Sequence, residues 1–166
     1  PFVLVDSKIR RAEDLDSVSS MGFRGEALAS IAAVSDVSLS TRTKGALQGI
    51  SIKIKGGCVT GLKPAGCPVG TSITIRDLFF NTPARYKFLK KDSTEARYTA
   101  DVLSRIALGY PDISIKFVSN GKILFHTPGN GDLKSTLFSI YGAEIVKHLI
   151  EVNCDDGNIK VNGYIG

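Results

Sequence analysis

The residues most able to do chemistry in this 166-residue chain stand in one short run, Gly22-Phe23-Arg24-Gly25-Glu26-Ala27-Leu28-Ala29-Ser30-Ile31-Ala32. Two glycines bracket a turn that leads directly into a helix-forming stretch. Glycine accepts positive φ angles and lets a ligand approach the main chain closely. The first amides of a helix have no partner inside it and carry the positive end of its dipole. A turn-to-helix junction of this kind is a seat for phosphate. Its ordinary structural alternative is a glycine turn opening a core helix, because Leu28, Ile31 and Ala32 fall on one apolar face.

The elements that must position this junction can be read from periodicity. A helix is expected from about Gly25 to Val34. Alternation of Val37, Leu39 and Thr41 predicts a strand over Asp36 to Thr43, and Ile50, Ile52 and Ile54, with lysines opposite, predict another over Gly49 to Lys55. Gly56-Gly57 is a turn signal, Cys58 to Leu62 a returning strand, and Pro64-Ala65-Gly66-Cys67-Pro68 a break. Thr71 to Leu78 predicts a strand with Ile73 and Ile75 facing inward. Asn81 or Thr82 is placed to cap a helix beginning at Pro83, and Asp92-Ser93-Thr94-Glu95 reads as a capping box for a longer helix. That helix is expected to bury Ala96, Thr99, Leu103, Ile106 and Tyr110 and to stop before Pro111. Asn120-Gly121 between Ile113–Val118 and Lys122–Thr127 predicts a type I′ hairpin. Pro128 to Gly131 reads as a boundary. Beyond it lie a helix carrying Leu133, Leu137 and Ile140 and two strands, Leu149 to Asn153 and Asn158 to Ile165.

Composition sets broad limits. The chain is 43% hydrophobic and 22% charged, with a formal net charge of +5, values of a globular domain whose modest positive charge is compatible with nucleic acid, nucleotide or no particular partner. No apolar run approaches the ~20 residues needed to span a bilayer, so no membrane partner is expected. Cys58, Cys67 and Cys154 lack CxxC spacing and suit a reduced, cytoplasmic setting rather than a zinc site or disulfide framework. His126 and His148 stand in unrelated contexts, so no metal site is expected from them. Arg85, Lys87, Lys90, Lys91 and Arg97 form a basic cluster diluted by Asp92 and Glu95. Its bland reading is a solvated helix face. Its functional reading is a contact with a DNA backbone through Arg85, Lys87, Lys90 and Lys91, independent of base sequence and steeply salt-dependent.

The string Gly22 to Leu28 resembles the third ATP-binding motif of the MutL mismatch-repair proteins, members of the GHKL ATPase group. Gly70-Thr71 with Asp77-Leu78-Phe79-Phe80-Asn81-Thr82-Pro83-Ala84-Arg85-Tyr86-Lys87-Phe88-Leu89 resembles the family's next motif, and Ser7-Lys8-Ile9 its Thr-Ser-Lys-Ile segment. The resemblance runs from about Ser7 to the C-terminus. It implies an α+β fold: over residues 1–130, the central and C-terminal part of a GHKL α/β sandwich, a mixed sheet with helices on one face. Residues 131–166 would then be the connecting helix and first strands of a second domain resembling domain 2 of ribosomal protein S5.

The resemblance also implies a nucleotide site. ATP would be held by Lys8, by the backbone of Gly22, Phe23, Arg24, Gly25, Ala27 and Leu28 around its phosphates, and by Thr71 at the base of the adenine pocket. Glu26 would act on the helix dipole or as a cap rather than as a base. The family's general-base glutamate, its Mg²⁺-binding asparagine and its adenine-reading Asp-Xaa-Gly-Xaa-Gly segment precede these motifs and have no match in the 166 residues. The chain alone is therefore expected not to hydrolyse ATP and to bind it weakly. The intact protein would use ATP and Mg²⁺ to drive homodimerisation and contacts with a mismatch-recognition protein, other repair proteins and DNA. That implies a bacterial cytoplasmic, nucleoid-associated protein. A non-catalytic DNA-binding or scaffold module is the alternative, and a topoisomerase, chaperone or histidine kinase of the same group is a weaker one.

Overall fold

The computed structural model describes residues 25–166. The chain divides into two compact units, Pro1–Leu89 and Lys90–Gly166. In the first, α1 (Ala27–Ala33) is followed by β1 (Asp36–Arg42), β2 (Gly49–Lys55), β3 (Cys58–Ala65), β4 (Gly70–Arg76) and the short α2 (Pro83–Tyr86). The four strands form a sheet in the order β3-β2-β1-β4, and every pairing is antiparallel.

Alternation decides what each face of this sheet carries. Val37 pairs with Ile54 and Ile75, and Leu39 with Ile52 and Ile73, so one face is apolar. α1 packs over β2 on that face, and Ala32, Val37 and Ile54 form a buried cluster with Ile31 and Ile52 against it. The opposite face takes the polar register: Asp36 opposite Lys55 and Arg76, and Ser38 opposite Lys53 and Thr74.

Two expectations need correction here. β3 continues through Pro64 to Ala65 rather than breaking at Pro64. It is the edge strand, where proline forfeits no inner-ladder bond. Ile73 and Ile75 lie on the apolar face but remain 46% and 44% exposed, because among the described residues α1 covers the β2 side of the sheet and β4 pairs only with β1.

The second unit contains α3 (Asp92–Gly109), β5 (Lys116–Ser119), β6 (Lys122–His126), α4 (Leu133–Tyr141), α5 (Ala143–Val146), β7 (Ile150–Asp155) and β8 (Lys160–Ile165). α3 packs on α4 and β5, and α4 on β6 and α5. Asn120 and Gly121 both have positive φ, 49° and 76°, which is the type I′ geometry the Asn-Gly pair predicts.

The Asp92 capping box is not formed. Lys91 occupies the N-cap position without a side-chain cap, and the Glu95 carboxylate instead accepts the Lys90 N–H at 2.9 Å. The helix therefore begins one residue earlier than the box requires. Its buried residue is Ala107, while Thr99 and Tyr110 of the expected stripe are exposed.

Polar side chains fill part of this unit's interior. Thr127 is fully buried; its hydroxyl accepts the Ile115 N–H at 2.9 Å and donates to the Ile113 carbonyl at 3.3 Å. Both sides of that hydroxyl are thus satisfied, as burial requires.

Candidate functional site

α1 opens at the glycine-bracketed turn. Gly25 has φ 69°, and Glu26 is the N-cap, with no side-chain cap bond. The amides of Ala27 and Leu28 belong to the first helical turn, whose N–H groups have no acceptor within the helix. Among the described residues no other group accepts them, and the short helix adds its dipole behind them. Lys8, Gly22, Phe23 and Arg24 lie outside the described residues.

The other end of α1 is closed by the second motif. A helix leaves its last carbonyls without partners, and here those of Ile31, Ala32 and Ala33 find donors. The Ile31 carbonyl accepts the Ser35 hydroxyl at 2.6 Å, and the Ala32 carbonyl accepts the Gly57 N–H at 2.8 Å. The Asn81 side-chain amide donates to the Ala33 carbonyl at 2.9 Å. The Phe79 N–H donates to the Val34 carbonyl at 2.7 Å, and the Gly56 N–H to the Ser35 carbonyl at 3.1 Å.

Asp77 and Phe79 hold this turn in left-handed conformations, φ 52° and 66°. For a bulky residue such as Phe79 that geometry is rare and costs about 1–2 kcal/mol. Asn81 therefore does not cap α2, as its position before Pro83 suggests. Thr82 takes that place without a side-chain cap bond, and Asn81 serves α1 instead.

Thr71 stands near the start of β4, paired with Thr41, and the two hydroxyl oxygens lie 2.9 Å apart. Strand alternation puts Thr71 on the same face as Ile73 and Ile75, the face that carries α1. Among the basic cluster, Arg85 and Lys87 belong to the first unit, while Lys90 and Lys91 open the second; all four are exposed. The described residues include no group of three or more His, Cys, Asp or Glu placed to hold a metal. His126 Nε2 lies 3.3 Å from the Ser114 hydroxyl.

The polar face of the sheet gathers a feature that the motifs do not mark. Lys53, Lys55, Arg76, Thr60, Thr74, Ser38 and Asp36 line a cavity of about 170 Å³. The lysines alternating with Ile52 and Ile54 were its signal in the sequence. Arg76 joins them only through the β1–β4 pairing.

These features define an α+β class: an antiparallel sheet with its helix on one face, a glycine-opened helix start and a latch at the helix end. No family model matches the chain. It is 48% identical over 159 residues to the DNA mismatch repair protein MutL of Desulforamulus reducens and 47% identical over 157 residues to that of Lactobacillus acidophilus. These matches cover 96% and 95% of the chain and 25% of each relative. The Aquifex aeolicus MutL ATPase domain complexed with ADP superposes with a TM-score of 0.76 at 29% identity, over 95% of this chain and 60% of that one. The N-terminal domain of a DNA repair protein gives 0.68 at 25% identity, over 89% and 49%.

The chain belongs to the MutL family, and its fold is that of part of the MutL ATPase domain. It spans about a quarter of the length of the curated relatives it matches.

Proposed function

We propose that this chain is the phosphate-closing part of a MutL-type ATPase region. In the intact protein, ATP binding and hydrolysis with Mg²⁺ drive homodimerisation and couple mismatch recognition to downstream repair proteins and DNA. The ligand class comes from the similarity to a MutL ATPase domain complexed with ADP. One observation carries the residue assignment: the two motifs meet on one helix. Gly25 to Leu28 open α1, and Phe79 and Asn81 close it.

On this reading the Gly25, Ala27 and Leu28 backbone receives the phosphates, together with Gly22, Phe23, Arg24 and Lys8. Thr71 stands under the adenine on the helix-bearing face. A helix terminus supplies only about 0.3–1 kcal/mol per favourable charge interaction, up to ~2 when partly buried. The other motifs must supply the remaining affinity. Hydrolysis further needs a positioned base and charge neutralisation on the transferred phosphoryl. We assign the base and the Mg²⁺ ligand to a glutamate and an asparagine outside these 166 residues, so the polypeptide of this sequence does not turn ATP over by itself. The functional boundary lies at 130/131, with residues 131–166 opening the second domain. The setting is the bacterial cytoplasm, at the nucleoid.

Titration of a fluorescent ATP analogue tests the assignment. This chain is compared with a polypeptide joining it to the N-terminal stretch of a MutL relative. The joined form is expected to bind and hydrolyse ATP, and Gly25→Val within it to lose binding with the far-UV circular dichroism preserved. Binding by neither form favours a non-catalytic scaffold or DNA-binding module. ATPase turnover proportional to the concentration of the 166-residue chain contradicts the placement of the base.

A further inference from the structure

We propose that the polar face of the β3-β2-β1-β4 sheet, opposite α1, is a contact surface for the phosphodiester backbone of duplex DNA. This site is separate from the Arg85–Lys91 cluster. The inference rests on the reading of the chain as part of a DNA repair protein and adds a location to it.

The register builds the surface. Lys55 and Arg76 both flank Asp36, Lys53 flanks Ser38 opposite Thr74, and Lys63 pairs with Ser51. Lys53, Lys55, Lys63 and Arg76 are exposed, and none of them forms an ion pair among the described residues. Neighbouring strands lie about 4.8 Å apart, so the step from β2 to β4 spans about 10 Å and Lys63 extends the cations one strand further. Ser38, Ser51 and Thr74 fill the spaces between with hydroxyls, which donate readily to phosphate oxygens, while the Thr60 hydroxyl donates to the Lys53 carbonyl at 3.3 Å.

The arrangement favours an extended polyanion over a single phosphate. Main-chain amides of paired strands are spent in the ladder, so no convergent nest of N–H groups faces the cavity. Lys53, Lys55 and Arg76 line the cavity, and Lys63 carries the positive charge beyond it along the sheet. A duplex presents one negative charge per about 1.7 Å of axis, so a surface about 10 Å across finds several phosphates within reach in any register. Single strands are held on aromatic stacking platforms. The four strands carry no aromatic residue, and the nearby Phe80 ring lies 5.7 Å from the Lys55 ammonium. The expected binding is therefore to duplex, independent of base sequence.

The test measures binding of the 166-residue chain to a fluorescent 20-base-pair duplex by anisotropy between 50 and 200 mM salt. Replacing Lys53, Lys55 and Arg76 by Gln (K53Q/K55Q/R76Q) is expected to flatten the slope of log K against log salt by about 0.9 for each phosphate no longer neutralised, about 2.7 in all. Over that salt range the unaltered chain then loses about 40-fold more affinity than the variant. Asp36→Asn is expected to tighten binding about two- to fivefold, the size of one exposed charge interaction, a gain that misfolding cannot produce. The variant R85Q/K87Q/K90Q/K91Q is expected to leave the sheet-dependent part of the slope intact.

An unchanged slope in the sheet variant, no tightening by Asp36→Asn, or tighter binding to a single strand than to duplex overturns the proposal. So does full competition by millimolar inorganic phosphate, which would mark an isolated phosphate site. Absence of duplex binding also overturns it while leaving the nucleotide reading standing, since that is decided by the ATP titration.

Discussion

Asn81→Ala gives the most direct check on how the two motifs cooperate. The substitution removes the amide that donates to the Ala33 carbonyl at 2.9 Å. Asn81 and Ala33 are both exposed, so water can replace the missing donor, and the cost falls within the ~0.5–1.5 kcal/mol of an ordinary net hydrogen bond. For a domain of 60–100 residues, ~1 kcal/mol moves the melting temperature by about 4–8 °C.

Asn81→Asp is expected to be worse. It sets a carboxylate against a carbonyl oxygen and places negative charge at the negative end of the α1 dipole, adding about 0.3–1 kcal/mol. Thermal unfolding followed by circular dichroism gives the ordering wild type, Ala, Asp. Amide hydrogen exchange locates the effect: protection should fall in α1 and stay unchanged in α4 of the second unit. Melting of both variants within about a degree of the wild type, or an Asp variant more stable than the Ala variant, would refute the assignment of Asn81 to α1.

Gly129 has φ 68°, and a methyl group there would stand 2.9 Å from the Ser114 Cα. Gly129→Ala is expected to destabilise the chain by about 2–4 kcal/mol through left-handed strain and backbone overlap, read by urea unfolding. Asp132 caps α4. Its carboxylate accepts the Ser135 hydroxyl and the N–H groups of Ser135 and Lys134, and these bonds hold its pKa below the ordinary value. A lowered folded-state pKa means that its contribution is fully present above the ordinary carboxylate pKa, near 4, and is lost as the pH falls through the folded value. Stability titrated from pH 6 to 2.5 should therefore decline less steeply in Asp132→Asn than in the wild type. Asn120→Gly should be nearly neutral, within about 0.5 kcal/mol, whereas Asn120→Val should cost more than ~1 kcal/mol at its positive φ; chemical denaturation separates the two.

What could be read from the sequence follows the range over which each signal acts. β2 emerges with its boundaries, and β1 to within one residue at its end, because alternation and turn residues are local signals. The Asn120-Gly121 hairpin follows from its own dipeptide. α1 is legible from the glycines before it and the apolar spacing within it. Asn81 is different: its neighbours Thr82 and Pro83 point to a cap for α2, while its partner lies at Ala33, 48 residues away. No local rule reaches that far.

Pro64 stays in a strand because β3 is at an edge, a property of the sheet order rather than of the segment. Glu95 shows the same limit on a smaller scale, since its carboxylate chooses the Lys90 amide over the box that its spacing suggests. Of the candidate site, Gly25, Ala27, Leu28 and Thr71 are legible from motifs, while the Lys53–Lys55–Arg76 face required the strand pairing.

The closure of α1 also bears on the order in which the chain can fold. Gly57, Phe79 and Asn81 all lie far downstream of the carbonyls they serve, and a seven-residue helix is too short to persist alone in water. During synthesis, α1 leaves the ribosome well before β4 and the turn that follows it. Its end can be secured only after the sheet has brought that turn back, so ordered α1 amides should appear late in refolding and report completion of the whole first unit.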